Sequence, residues 1–372
     1  MPDARPRLVQ PRRFDLWRTL LVASTVLGAT VWSLRRHAPT GGMAEWSGEA
    51  QGTWYHVRVR VPPRVAGGAV EEGVHQALAE ADGAFSLWNT NSEIARFNRT
   101  PAGERFESSP GFHRVATLAR DLAARTSGAF DPTLGTVLRR WGFGPDTPAR
   151  PPDDVELSRA LEAVGWRDWI LDEGPPPAMI KRREGMELDL NAVAQGWTVD
   201  RIAARLRALG ARDFMVEVGG ELYAAGRNAA GRRWRIGIDQ PRAETLPGER
   251  LAGVLQVSDL AVATSGGYRR QRRDAAGRPV THVFDGRTGR AVPRAGMSVT
   301  VIADDCVTAD GLSTVLLILG PDEGLRWLER EFPDADALFL EAPPEDAVLR
   351  ARRSRRFDER TSFEPLAPMS PL

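Results

Sequence analysis

One cysteine, Cys306, stands in 372 residues, so neither an internal disulfide framework nor a cysteine-built metal site is available to this chain. Lysine is confined to Lys181, against a large number of arginines, a bias of composition and no guide to function. The formal net charge is only +1, which removes any global electrostatic case for nucleic acid as a partner. No strand–GxxxxGK[ST]–helix phosphate loop occurs, and the one glycine-rich run, "SGGY", is too short to specify a ligand. Five histidines leave few bases that titrate near neutrality. What remains is a globular composition, 42% hydrophobic and 27% charged, long enough for one large or two ordinary domains.

The N-terminus is organised differently from the rest. Residues 1–18 carry Arg5, Arg7, Arg12, Arg13 and Arg18, and residues 19–34, "TLLVASTVLGATVWSL", are apolar, with Arg35 and Arg36 following. This predicts a signal anchor or, as the alternative, a cleaved signal peptide, and the excess of arginine before the segment places the remainder outside the cytoplasm. Residues 35–50 read as a linker, and 346–372 as a charged, proline-containing tail that packs loosely.

Between them, strands and helices mix without a regular βαβ series, which predicts an α+β fold with mixed or antiparallel sheets. "TWYHVRVRV" alternates as a strand, "MELDL" reads as a short strand, and the helix that follows places Val199, Ile202, Leu206 and Leu209 on one side before Gly210. "DFMVEVGGELYAAG" reads as two strand pieces around Gly219 and Gly220, and "DAAGRP" as a hairpin turn.

Two segments stand out chemically. In "DCVTADGLSTVLLILGP" the helical period puts Asp310, Ser313 and Thr314 on one face, with Thr308 as the expected N-cap. Capping with small side chains explains this pattern. So does a hard cation held by carboxylate and hydroxyl oxygens. In "ELDLNAVAQGWTVD", Asp189 sits at a strand-to-helix turn that either caps the helix or faces a nucleotide. His282, in "THVFDGRTG", is either a structural hydrogen bonder or a general base.

In order along residues 51–340, the runs "GTWYHVRV", "NSEIARFN", "SGAFDPTLGTVLRRWGFGP", "LDLNAVAQGWTVDRI", "VEVGGELYAAG", "WRIGIDQP", "AVATSGGYR", "THVFDGRTGR" and "SVTVIADDCVTADGLSTVLLILGP" resemble the FAD:protein FMN transferases, the ApbE family. The resemblance implies an ApbE-like catalytic domain over 51–345, at the bacterial inner membrane and facing the periplasm. It implies Mg²⁺-dependent transfer of FMN from FAD to a threonine or serine hydroxyl of an exported acceptor protein, with AMP released. By the same resemblance, His282 is the base. Gln51, Trp88, Ala129, Phe130, Asp131, Asp189, Gln195 and Phe284 meet FAD. Asp310, Thr314 and the Ala192 carbonyl hold the metal, with Ser313 a further candidate where some members carry aspartate and many alanine.

Four positions depart from the family pattern: Gln51 for methionine, Trp88 for tyrosine, Gln195 for a commonly charged residue, and Gly286 for proline, which is expected to loosen the turn beside His282. Two other activities fit the same resemblance, an FAD pyrophosphatase that uses water and a flavin-binding accessory protein without catalysis.

Overall fold

A computed structural model describes residues 42–372 except 146, 147, 149, 244, 269, 270, 275, 276 and 344–347. The basic run 1–18 and the apolar segment 19–34 lie outside the described residues. Among the described residues, no helix is long and apolar enough to cross a membrane.

The scaffold is a nine-stranded sheet whose strands lie side by side in chain order. They are β1 (Ala44–Ala50), β2 (Thr53–Val59), β3 (Phe214–Val218), β4 (Glu221–Ala225), β5 (Leu260–Gly266), β6 (Met297–Ala303), β7 (Asp336–Glu341), β8 (Leu349–Arg353) and β9 (Met369–Pro371). Every neighbouring pair is antiparallel except β8 and β9. A three-stranded sheet, Ser362–Pro365, Leu251–Val257 and Trp234–Asp239, covers one face and encloses Leu222, Trp234, Leu255, Ile302, Leu338 and Phe363. Helices α1 (Gly67–Phe85), α2 (Pro110–Arg125), α3 (Asn191–Ala208) and α4 (Cys306–Glu331) cover the other, over Tyr55, Val57, Val216, Val299 and Val301. Alternate residues of each central strand thus point into different cores, the pattern expected of a sheet buried on both sides. The α+β expectation is met.

Four local expectations are corrected. Residues 44–50, read as part of a linker, form edge strand β1. Trp46 and Gly48 face the core, and Gln51–Gly52 (φ 53° and 70°) make the two-residue turn into β2. Such left-handed turns match the twist of the flanking strands. The tail is not loose. It supplies β8, β9 and Ser362–Pro365, and it buries Phe357 and Phe363 beneath the Arg353 guanidinium, 5.7 and 5.4 Å from their rings. Arginine here covers apolar surface while keeping its charge in water. "MELDL" forms only one bridge, Leu134 to Glu187. Finally, α4 begins earlier than expected: Asp305, not Thr308, is the N-cap, and its carboxylate accepts from Thr308 N at 2.9 Å.

The apolar half of α4 is interrupted at Gly320 (φ 80°), ahead of Pro321. The Arg294 guanidinium donates to the Ile318 and Leu319 carbonyls at 3.3 Å each, taking up acceptors that the break leaves without helical partners.

Candidate active site

The site forms where α3 crosses the first turns of α4. Glycine at 196 is what allows the crossing: a Cβ there would fall on the Cys306 carbonyl and on Asp310 Cβ. This explains a glycine in a helix interior, where it costs about 1 kcal/mol relative to alanine. Gly196 N donates to Asp310 Oδ2 at 2.9 Å. That amide is the one a regular helix assigns to the Ala192 carbonyl, so the bond draws Ala192 and Asp310 into one corner. Asp310 is 4% exposed. Burial pushes its pKa well above the usual carboxylate range, the Gly196 bond opposes this, and the nearby Asp200 charge adds to it.

Asp200, about one turn beyond Gly196 on α3, accepts from Cys306 N and Val307 N at 2.9 Å each. The start of α4 is therefore capped twice, by its own Asp305 and by a carboxylate from the neighbouring helix. Burial raises the Asp200 pKa to about 6 despite these bonds.

Hydroxyls complete the corner. Ser313, fully buried, donates to the Asp310 carbonyl at 2.8 Å. Ser265, near the end of β5, lies 2.7 Å from Ser313 Oγ and 3.2 Å from Thr314 Oγ1. Thr314 is half-buried.

A second group of candidates lies on two loops that dock on each other. Asp131 Oδ1 accepts from Thr133 N at 2.9 Å and Thr133 Oγ1 at 2.6 Å, and Oδ2 from Trp166 N at 3.3 Å. Burial still raises its pKa. Its main task in this geometry is to hold the turn that presents the Ala129 and Phe130 backbone. Gly286 N donates to Ala129 O at 2.8 Å, and a Cβ at 286 would meet the Gly128 carbonyl and Asp131 Cβ. The expectation of a loosened turn is thus reversed, because glycine permits a close approach and supplies an amide that proline lacks. Phe284 packs against Trp141 and Phe143, with ring centroids 6.0 and 5.8 Å away. His282, half-buried on the same segment, has its ring 6.4 Å from Phe143.

The two groups are joined through Asp189, whose amide donates to Pro132 O at 2.9 Å and whose carboxylate accepts from Asn191 N at 2.9 Å at the start of α3. Burial raises the Asp189 pKa as well. On the other side of α3, the Gln51 amide donates to Thr198 Oγ1 at 2.7 Å, and the Gln195 amide lies against the Gly219 turn between β3 and β4. Trp88 is 60% exposed, three residues beyond Phe85, whose ring meets Trp197 of α3 at 5.1 Å.

The structure therefore gathers Ala192, Asp310, Ser313 and Thr314 into one corner, and links Ala129–Asp131 with Phe284 and Asp189 beside it. Gln51, Gln195 and Trp88 lie around α3. Sequence reasoning missed Gly196, Thr198, Asp200 and Ser265. Gly196 was detectable as a glycine inside a helical period, while Ser265 sat in the "SGGY" run that periodicity could not interpret.

Among the described residues, no three His, Cys, Asp or Glu side chains cluster as a metal site. The corner offers instead one carboxylate, hydroxyls and a backbone carbonyl. Such a hard-oxygen set with few side chains fits Mg²⁺, which keeps several waters and takes further oxygens from a substrate phosphate.

Comparison with known proteins agrees with the geometry. The model of the ApbE family matches residues 51–339. The FAD:protein FMN transferase of Haemophilus influenzae is 33% identical over 318 residues, covering 83% of this chain and 90% of that protein. Its Vibrio cholerae counterpart is 34% identical over 287 residues, covering 76% and 83%. Among solved structures, the flavin transferase ApbE from Vibrio cholerae superposes with a TM-score of 0.74 at 29% identity, covering 88% of this chain and 99% of that one. The apo flavinyl transferase ApbE of Pseudomonas stutzeri does so with a TM-score of 0.74 at 29% identity, covering 88% and 98%. With the family model spanning most of the chain and the same fold in those structures, this chain belongs to the ApbE family of flavin transferases.

Proposed function

We propose that the chain transfers the FMN part of FAD to a threonine or serine hydroxyl of an exported protein, releases AMP, and requires Mg²⁺. The observation that carries this reading is the corner itself: Asp310, Thr314 and Ala192 brought together by a glycine-enabled helix crossing. When bound, Mg²⁺ would neutralise charge on the FAD pyrophosphate. A bound cation would stabilise the ionised form of the buried Asp310 carboxylate.

The rest of the work falls to the chain's own groups. Trp88 offers an open aromatic face on which a flavin or adenine ring can stack. The docked loops 128–133 and 284–286 hold the backbone at Ala129 and Phe284 in fixed positions, and Asp189 ties them to α3. In the transfer, the acceptor oxygen forms a bond to the FMN phosphorus while the bond from that phosphorus to the bridging oxygen breaks, and AMP leaves with that oxygen. His282 takes the hydroxyl proton. Displacement of this kind depends on positioning and charge neutralisation more than on covalent chemistry.

The basic run 1–18 and apolar segment 19–34 support attachment to the inner membrane with the catalytic domain in the periplasm. Intact-mass measurement of a candidate acceptor after incubation with FAD and Mg²⁺ tests the reaction. A gain equal to esterified FMN is expected. Free FMN and AMP with an unmodified acceptor would mean hydrolysis, and unchanged FAD would mean binding alone.

A further inference from the structure

Ser265, on a strand, touches two residues of α4 at once, Ser313 and Thr314. Giving each hydroxyl one proton sets the three contacts in one consistent direction. A serine or threonine hydroxyl has one proton to give. Ser313 spends its proton on the Asp310 carbonyl at 2.8 Å, so the 2.7 Å contact between Ser265 and Ser313 uses the proton of Ser265. The 3.2 Å contact between Ser265 and Thr314 then uses the proton of Thr314. The chain runs one way, from Thr314 to Ser265 to Ser313 to the Asp310 carbonyl.

Resting on the cation reading of this corner, we propose that Ser265 and Ser313 are positioning residues that hold the Thr314 proton away from the metal position, leaving Thr314 Oγ1 to present lone pairs. A cation is bound by oxygen lone pairs and repelled by a hydroxyl proton, so direction matters as much as place. Thr198 on α3 shows the other course open to a helical threonine: its hydroxyl accepts from the Gln51 amide and donates to Ala194 O, four residues back, at 2.8 Å. Ser265 is what diverts Thr314 from that course. The proposal assigns Ser313 a role as well. Fully buried and committed to a carbonyl, it ends the relay and is not itself a ligand.

The test is Mn²⁺ affinity of the full chain, read by electron paramagnetic resonance of the free ion, with thermal melting as a check on folding. Ser265→Ala should weaken Mn²⁺ binding about tenfold or more, the usual cost of losing a group that orients a ligand. Ser265→Thr, which keeps the hydroxyl, should restore it. Ser313→Ala should fall between, because Thr314 keeps its acceptor while Ser265 loses its own, and this variant reads the relay even where Ser265→Ala does not fold. In a Thr314→Ala background, Ser265→Ala should cost nothing further; an equal loss there would mean a merely structural serine and overturn the relay. Native affinity in both Ser265→Ala and Ser313→Ala overturns it too, with the metal site left standing. A native chain that takes up no Mn²⁺ overturns the cation reading and the relay together.

Discussion

The corner beneath the α3–α4 crossing and the rim around Trp88 are built on opposite terms. In the corner, Asp310 and Ser313 are almost wholly out of water, and their oxygens are tied to Gly196, Ser265 and the helix backbone. On the rim, Trp88 is 60% exposed and Gln51 is exposed. Buried polar groups keep a fixed arrangement because leaving one unpaired is costly, so they suit an ion with strict geometric demands. An exposed aromatic can adjust to a planar ring, which suits a large substrate that must enter and leave. Under the proposed function, grip on the pyrophosphate would fall to the corner and recognition of the rings to the rim.

His282 lies in neither region but on the docked loop beside them, and its replacement should give the largest separation of binding from chemistry. His282→Ala is expected to slow single-turnover transfer by about 10²–10⁴-fold, the range for losing a general base, with FAD affinity unchanged. A parallel loss of FAD binding would make the histidine part of the scaffold instead. A smaller effect is expected at the rim. Trp88→Ala should weaken FAD binding roughly tenfold, as aromatic–base stacking contributes about 1–3 kcal/mol per base, and Trp88→Tyr should recover most of it. Native FAD affinity in Trp88→Ala would place the rings elsewhere.

How much of this was readable beforehand follows from where the information lies. The oxygen-bearing face of α4 was visible because Asp310, Ser313 and Thr314 break a local apolar period. The β3–β4 hairpin was visible for the same reason, since its pattern is local. Edge strand β1 was not, because "AEWSGEA" holds only Trp46 as a strong apolar signal and needs β2 beside it to form a ladder. The C-terminal strands were hidden among charged residues such as Arg353, whose guanidinium lies over the Phe357 and Phe363 rings, a contact that composition does not report. Ser265 and Asp200 act on α4 from a different element, across 48 and 106 residues respectively, and no period in one segment can report that. Gly286 was read with the wrong sign. Its partner, Ala129 O, is supplied by a loop more than a hundred residues away, which turns apparent freedom into close docking.

The division of labour between corner and rim is tested most directly by titrating FAD into the native chain and into Asp310→Ala, each with and without Mg²⁺. The native chain should bind FAD more tightly when Mg²⁺ is present, and in Asp310→Ala that gain should vanish while the residual, Mg²⁺-independent affinity persists. The same Mg²⁺-dependent gain in Asp310→Ala would contradict the account, because the grip on the pyrophosphate would then lie outside the helix crossing.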